Sequence, residues 1–147
     1  MPNYCTNIVT VSHADPEQIA RIKAAVDRDE LFQEINPCPQ ELVETVAGLG
    51  MDMTEQYAAN LAKYGHESWY SWCLANWGTK WEATDIDVSF SDENEISCSF
   101  MTAWAPPIPV YEALVAKGFN IVATYREEGM GFMGAFTNEK GDQCISY

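Results

Sequence analysis

The sequence predicts an α+β fold: helices on one face of an antiparallel sheet, with a helical insertion and a C-terminal hairpin. Three patterns carry this prediction. Residues 4–12 alternate and lead into a capped helical stretch. Two further alternating runs, 84–90 and 95–101, face each other across a turn cluster. A helix opened by prolines then precedes a fourth alternating run. With 147 residues, 47% of them apolar and 20% charged, the chain has enough apolar surface for one core without staples. A single domain over residues 1–147 is the expectation.

Each element has its own signal. In the first strand Val9 and Val11 lie on one face, Ile8 and Thr10 on the other. Asp15 reads as an N-cap, Pro16 as the first helical residue and Gln18 as the partner of a capping box. Ile19, Ile22 and Val26 continue that helix to about Asp29. Prolines 37 and 39 break regular structure. Asp52 and Glu55 suggest a new helix start, with Tyr57, Leu61 and Tyr64 as its stripe and Gly65 as its end. Residues 69–77 are apolar nearly all round, which predicts burial on several sides. Residues of about 40–82 thus read as a helical insertion.

In the second half Asp85, Asp87 and Ser89 alternate with Ile86, Val88 and Phe90, and Glu95, Ser97 and Ser99 with Ile96, Cys98 and Phe100. The polar set of each strand is expected on the open face. Prolines 106, 107 and 109 open a helix with Ile108, Tyr111, Leu114 and Val115 inward, and Gly118 stops it. Residues 119–126 alternate, and a hairpin joins about 131–137 to 143–146. Without the insertion, the order is β-α-β-β-α-β, the split βαβ or ferredoxin-like order.

Eight Lys and Arg against 22 Asp and Glu give a formal net charge of −14. Binding to a phosphate backbone draws its affinity from cations that release counterions, so direct nucleic-acid binding is not expected. Adsorption to anionic lipid fails for the same reason. The N-terminus has no basic region or apolar run of signal length, and no 18-residue apolar stretch follows, so a soluble, cytoplasmic protein is expected. The cysteines at 5, 38, 73, 98 and 144 contain no C-x-x-C pair, and a zinc site would need ligands from distant segments. Free, mostly buried thiols in a reducing compartment are expected. No metal, cofactor or catalytic residue is implied.

Gly129-Met130-Gly131-Phe132-Met133-Gly134 matches the dinucleotide pattern G-x-G-x-x-G in letters. That mechanism needs a helix directly after it and an acidic residue about 20 positions on. A hairpin is expected there instead, and Glu127 and Glu128 would repel phosphate. Paired carboxylates are plentiful, but general acid–base chemistry needs two in unlike environments, which an exposed strand or turn does not supply. His66 and Cys73 lack an orienting third residue.

Aromatic residues form the densest unusual feature. Trp69, Tyr70, Trp72, Trp77 and Trp81 crowd one segment, and Trp104 follows. Asn76-Trp77-Gly78-Thr79-Lys80-Trp81 interleaves indoles with an amide and a cation. As a pocket, Trp77, Trp81 and Trp104 would stack on a ligand while Asn76 and Lys80 orient it. As scaffold, the indoles fill the gap between insertion and sheet and Lys80 lies over one of them.

The opening MPNYCTNIVTVS, the central WCLANWGTKWEATD and the segment SFMTAWAPPIP resemble the YubB-type, or Api-like, ferredoxin-like domain family of phage- and plasmid-encoded proteins. The resemblance spans nearly the whole chain. It implies a ferredoxin-like core with a helical insertion and a bacterial host cytoplasm, and it carries no activity or site.

Two functions follow as expectations. In the first, an accessory protein that is not an enzyme binds a host protein with a basic surface and inhibits a nucleic-acid-handling defence system. Asp85, Asp87, Asp92, Glu93 and Glu95 would make the contact. DNA carries one charge per about 1.7 Å, whereas alternate strand positions lie about 6.8 Å apart. Close mimicry of DNA therefore needs a second acidic row, for which Glu127 and Glu128 are the candidates. In the second, a small ligand or nucleotide binds at Asn76, Trp77, Lys80, Trp81 and Trp104. Self-association into a homo-oligomer is a third, blander reading.

Overall fold

The computed structural model describes residues 3–43 and 54–146. The chain runs β1 (Tyr4–Ser12), α1 (Pro16–Asp27), α2 (Leu31–Ile35), α3 (Gln40–Val43), α4 (Thr54–Tyr64) and α5 (Trp69–Asn76). It continues through β2 (Thr84–Ser91), β3 (Glu95–Ala103), α6 (Ile108–Ala116), β4 (Asn120–Glu127), β5 (Phe132–Thr137) and β6 (Gly141–Ser146). Among the described residues the strands form one six-stranded antiparallel sheet in the order β2-β3-β1-β4-β5-β6. Its first four strands have the expected ferredoxin-like order, and the hairpin widens the sheet beyond β4.

The inward face is set by strand alternation. Val9 and Val11 of β1, Ile96, Cys98 and Phe100 of β3, and Ile121 and Ala123 of β4 are buried. Ile19, Ile22 and Val26 of α1 and Val110, Tyr111 and Leu114 of α6 join them in one core. Each such side chain stabilises the fold by about 1.5–3 kcal/mol on removal from water. Asn7 is buried among them, and its Nδ2 donates to Thr102 Oγ1 at 2.9 Å and to Cys5 O at 3.1 Å. No helix among the described residues is long and apolar enough to cross a membrane.

Several expectations need correction. Asp15 caps α1 by accepting the Glu17 N–H at 3.0 Å. Gln18 does not close a capping box, because its Oε1 accepts from Arg21 Nη1 at 3.5 Å instead. α2 follows α1 where the sequence showed no helix, and its first turn is capped by Glu82, from the segment between α5 and β2. The helix start predicted at Asp52 lies outside the described residues. Leu61 of α4 is exposed rather than part of a buried stripe. α5 buries Trp72 and Cys73 but exposes Tyr70 and Leu74, so only one of its sides is covered.

The largest departure is in β2. Register shifts between Thr84 and Asp87 and between Val88 and Phe90 mark two irregularities of the bulge type. Each extra residue reverses which face the following side chains take. Asp87 still pairs with Ser99 on the open face, but Phe90 pairs with Ser97 and joins it there, 48% exposed. Asp85 sits in the first irregularity with a φ of +54°, which an Asp side chain tolerates better than most. The expected inward position of Phe90 is therefore wrong.

Candidate functional site

Two surfaces stand out, and both descend from sequence features. The first is the open sheet face. Ile8 is 57% exposed, although its neighbours Asn7 and Val9 are buried, and Ile145 is 56% exposed. Around them Thr6, Met101, Thr124, Arg126 and Met133 line a shallow groove of about 900 Å³. Large apolar side chains on a solvated face mark an interaction surface more often than a structural one.

The five predicted carboxylates flank this face along its β2 side. Asp87 lies opposite Ser99 and Glu95 opposite Ser12, both on the open face. Asp92 and Glu93 are exposed in the β2–β3 turn, where Asp92 Oδ1 accepts the Asn94 N–H at 2.8 Å. Asp85 is exposed at its irregularity. None of the five takes part in an ion pair among the described residues.

The second acidic row does not exist. Glu127 lies opposite Cys5, on the helix face, and is 1% exposed. Its two carboxylate oxygens accept the N–H groups of Gly129 and Met130, each at 2.7 Å. It is a turn cap. Glu95 faces the opposite end of β1, at Ser12, so Glu127 is about 24 Å away along the strands. Two strand spacings, from β3 through β1 to β4, add about 10 Å across the sheet. One acidic edge remains, too sparse for a copy of a nucleic-acid backbone.

The glycine pattern is likewise structural. Residues 129–134 turn from β4 into β5 and no helix follows. At Gly134 an added Cβ would sit 2.5 Å from Gln143 O and press on the Tyr125 phenol. The glycine is there to let that ring cross the strand. Tyr125 donates to Asp142 Oδ1, and burial, together with that acceptor, pushes its phenol well above the usual range.

The second surface surrounds Lys80. α5 ends at Asn76, whose Nδ2 donates to Trp72 O at 3.0 Å and whose carbonyl accepts Asn36 Nδ2 at 2.9 Å. Trp77 is buried, with its Nε1 donating to Asn36 O at 2.7 Å and its ring edge-on to Phe32 and Trp72. Gly78 then turns the chain with a φ of +79°, and a Cβ there would meet Pro109 Cδ at 2.8 Å. Thr79 Oγ1 bonds both the carbonyl and the N–H of Ala103, at 2.9 and 3.1 Å. Those anchors fix Lys80 beside the end of β3. Its Nζ lies 4.4 Å from the Trp81 ring centroid and 4.5 Å from that of Trp104.

Of the five residues predicted for a ligand site, Lys80, Trp77 and Trp81 do border one hollow of about 620 Å³, together with Trp69, Cys38 and Cys73. Asn76 does not, because its amide is used to end α5. Trp104, 44% exposed, lies against Lys80 and is not part of the hollow's lining. Four lining residues, Glu30, Gln33, Gln40 and Glu82, escaped sequence reasoning. Glu82 Oε1 and Oε2 accept the Phe32 and Gln33 N–H groups at 2.8 Å each, capping α2. Burial holds the Glu82 carboxyl above the usual carboxylate range. Gln33 is closed onto Cys38, donating to its carbonyl at 3.1 Å and accepting its N–H at 3.1 Å. No local pattern announces pairings this distant in the chain.

Comparison with known proteins agrees with this architecture. Residues 76–147 match the family model described as the ferredoxin-like domain in Api92-like protein. Among solved structures, the crystal structure of a protein api92 from Yersinia pseudotuberculosis superposes with a TM-score of 0.54 and 8% identity. The match covers 100% of this chain and 98% of that one. No curated protein matches the chain. The chain thus shares its fold with that crystal structure, and its residues 76–147 match the ferredoxin-like domain of Api92-like proteins.

Proposed function

We propose that this protein is a binding module without catalysis, whose target is a protein offering an apolar patch bordered by basic residues. The observation that carries the reading is an apolar groove on the open sheet face, together with Asp85, Asp87, Asp92, Glu93 and Glu95 outside its lining at the β2–β3 edge of the same sheet, none of them ion-paired among the described residues. An apolar centre with a charged rim is the usual anatomy of a protein–protein interface. A net charge of −14 steers such an encounter and speeds association with a basic partner. In its sharper form, the carrier is a phage or plasmid, the setting a bacterial cytoplasm, and the target a nucleic-acid-handling defence protein whose phosphate-binding groove is basic.

The test is affinity capture from a bacterial host lysate with the tagged protein, alongside a variant in which all five carboxylates become lysine. A basic protein retained by the wild type and lost from the variant supports the reading. Equal retention by both, or recovery of acidic proteins alone, overturns it. Rim charges act mainly on association rate, so the wild-type on-rate should fall steeply between low and physiological salt.

A further inference from the structure

We infer that the hollow beside Lys80 is a second binding site, independent of the sheet face, for a planar aromatic monocarboxylate. Lys80 is the starting point. The chain holds only eight Lys and Arg. Arg21, Arg28, Lys63 and Arg126 pair with carboxylates, Lys23 and Lys117 donate to the carbonyls of Asp92 and Ile35, and Lys140 is exposed in the β5–β6 turn. Lys80 is half-buried and, among the described residues, has neither a carboxylate nor a hydrogen-bond acceptor. A protein with so large a surplus of carboxylates has left this ammonium to two indole faces. Those faces attract a cation but use none of its three N–H donors.

A second donor is orphaned in the same wall. The Trp81 indole Nε1 is buried with no hydrogen-bond partner among the described residues. A buried polar group left unpaired calls for an explanation, and two adjoining donors without acceptors ask for a ligand that brings acceptors. The rest of the hollow is an apolar receptacle: Trp69 and Trp77 with the thiols of Cys38 and Cys73. Of its other polar neighbours, Glu82 and Gln33 are already bonded to the backbone of the 31–38 segment, and Glu30 and Gln40 complete the lining. At about 620 Å³ it falls within the range of small-molecule sites.

The ligand's chemistry follows from those groups. Flat rings match indole faces, and a carboxylate supplies acceptors for Lys80. A phosphate monoester is the poorer fit. Its two charges would enter a hollow that also has Glu30 and Glu82 in its lining, in a chain already at −14. This disfavours a nucleotide at the same site.

The test uses the intact protein with indole-¹⁵N-labelled tryptophan, which gives five side-chain N–H signals. 1-Naphthoate, 1-naphthylmethylamine and 1-naphthyl phosphate are titrated in turn, with Trp81→Phe assigning the signal of interest. The expected result is a saturable shift of the Trp81 signal with naphthoate, at least tenfold tighter than with the amine. Lys80→Met should weaken naphthoate about tenfold or more, and Lys80→Arg should restore most of that loss. No saturable shift with naphthoate, or equal affinity for the amine, overturns the site. Tighter binding of the phosphate overturns the assigned ligand class. The ligand series is read on wild-type protein, so it decides the matter even where a Lys80 variant folds poorly. The hollow and the sheet groove share no lining residue, so a failed titration leaves the protein-binding reading untouched.

Discussion

Glu82 and Phe32 are joined by a hydrogen bond of 2.8 Å from the Phe32 N–H to Glu82 Oε1, across fifty residues of chain. The other oxygen takes the Gln33 N–H, so one carboxylate in the segment just ahead of β2 holds the first turn of the short helix α2. Replacement by alanine leaves two part-buried donors without acceptors. We expect Glu82→Ala to lower stability by about 1–3 kcal/mol, read from urea denaturation. Burial raises the Glu82 carboxyl in the folded state above its ordinary 4.5, so the folded state binds the proton more tightly than the unfolded one. Its contribution is full below that ordinary value and declines as pH rises through the folded one. Glu82→Gln has no charge to bury and should therefore gain on the wild type as pH rises above 4.5. A gap between the two that widens in the wild type's favour with rising pH would contradict this.

Gly134→Ala should fold poorly. Its Cβ would press against the Tyr125 phenol and the Gln143 carbonyl, with backbone on one side and a ring fixed by Asp142 on the other. Overpacking of this kind costs about 1–3 kcal/mol. A thermal midpoint equal to the wild type's would show that the hairpin shifts freely.

The thiols should divide sharply in alkylation. Burial pushes Cys5 and Cys73 up to about 12 and Cys98 up to about 11, and it raises Cys38 as well. Cys144 alone of the five is exposed. Thiolate is the reactive form, so brief iodoacetamide treatment at pH 8 should modify one cysteine in the native protein and five after denaturation. Peptide mass spectrometry locates it, and rapid native labelling of Cys73 or Cys98 would count against the packing described.

On the sheet face, Ile8→Thr, Phe90→Ser and Ile145→Thr remove apolar surface that solvent already reaches. Each should change stability by no more than about 0.5 kcal/mol. All three should reduce recovery of the captured partner. Loss of stability with unchanged capture would make these side chains part of the scaffold instead.

The sequence alone determined the succession of the strands, with α1 and α6 between them, and the inward faces of the regular strands, while α2 left no signal in it. Both depend on local periodicity: every second residue of 4–12, 95–103 and 120–127 takes the same side, whatever the rest of the chain does. It also exposed the glycine pattern as a false lead, since no helix signal followed it. Tertiary structure decided whatever depends on two distant segments meeting. The irregularities of β2 exist only as a register with β3, and they moved Phe90 to the open face. Glu127 looked like surface charge, yet the turn's own N–H groups claimed it. Lys80 became a cation between two indoles because Thr79 bonds to Ala103, twenty-four residues away. Periodicity along one strand carries no trace of such pairings, because their free energy depends on separations in space and not on neighbours in the chain.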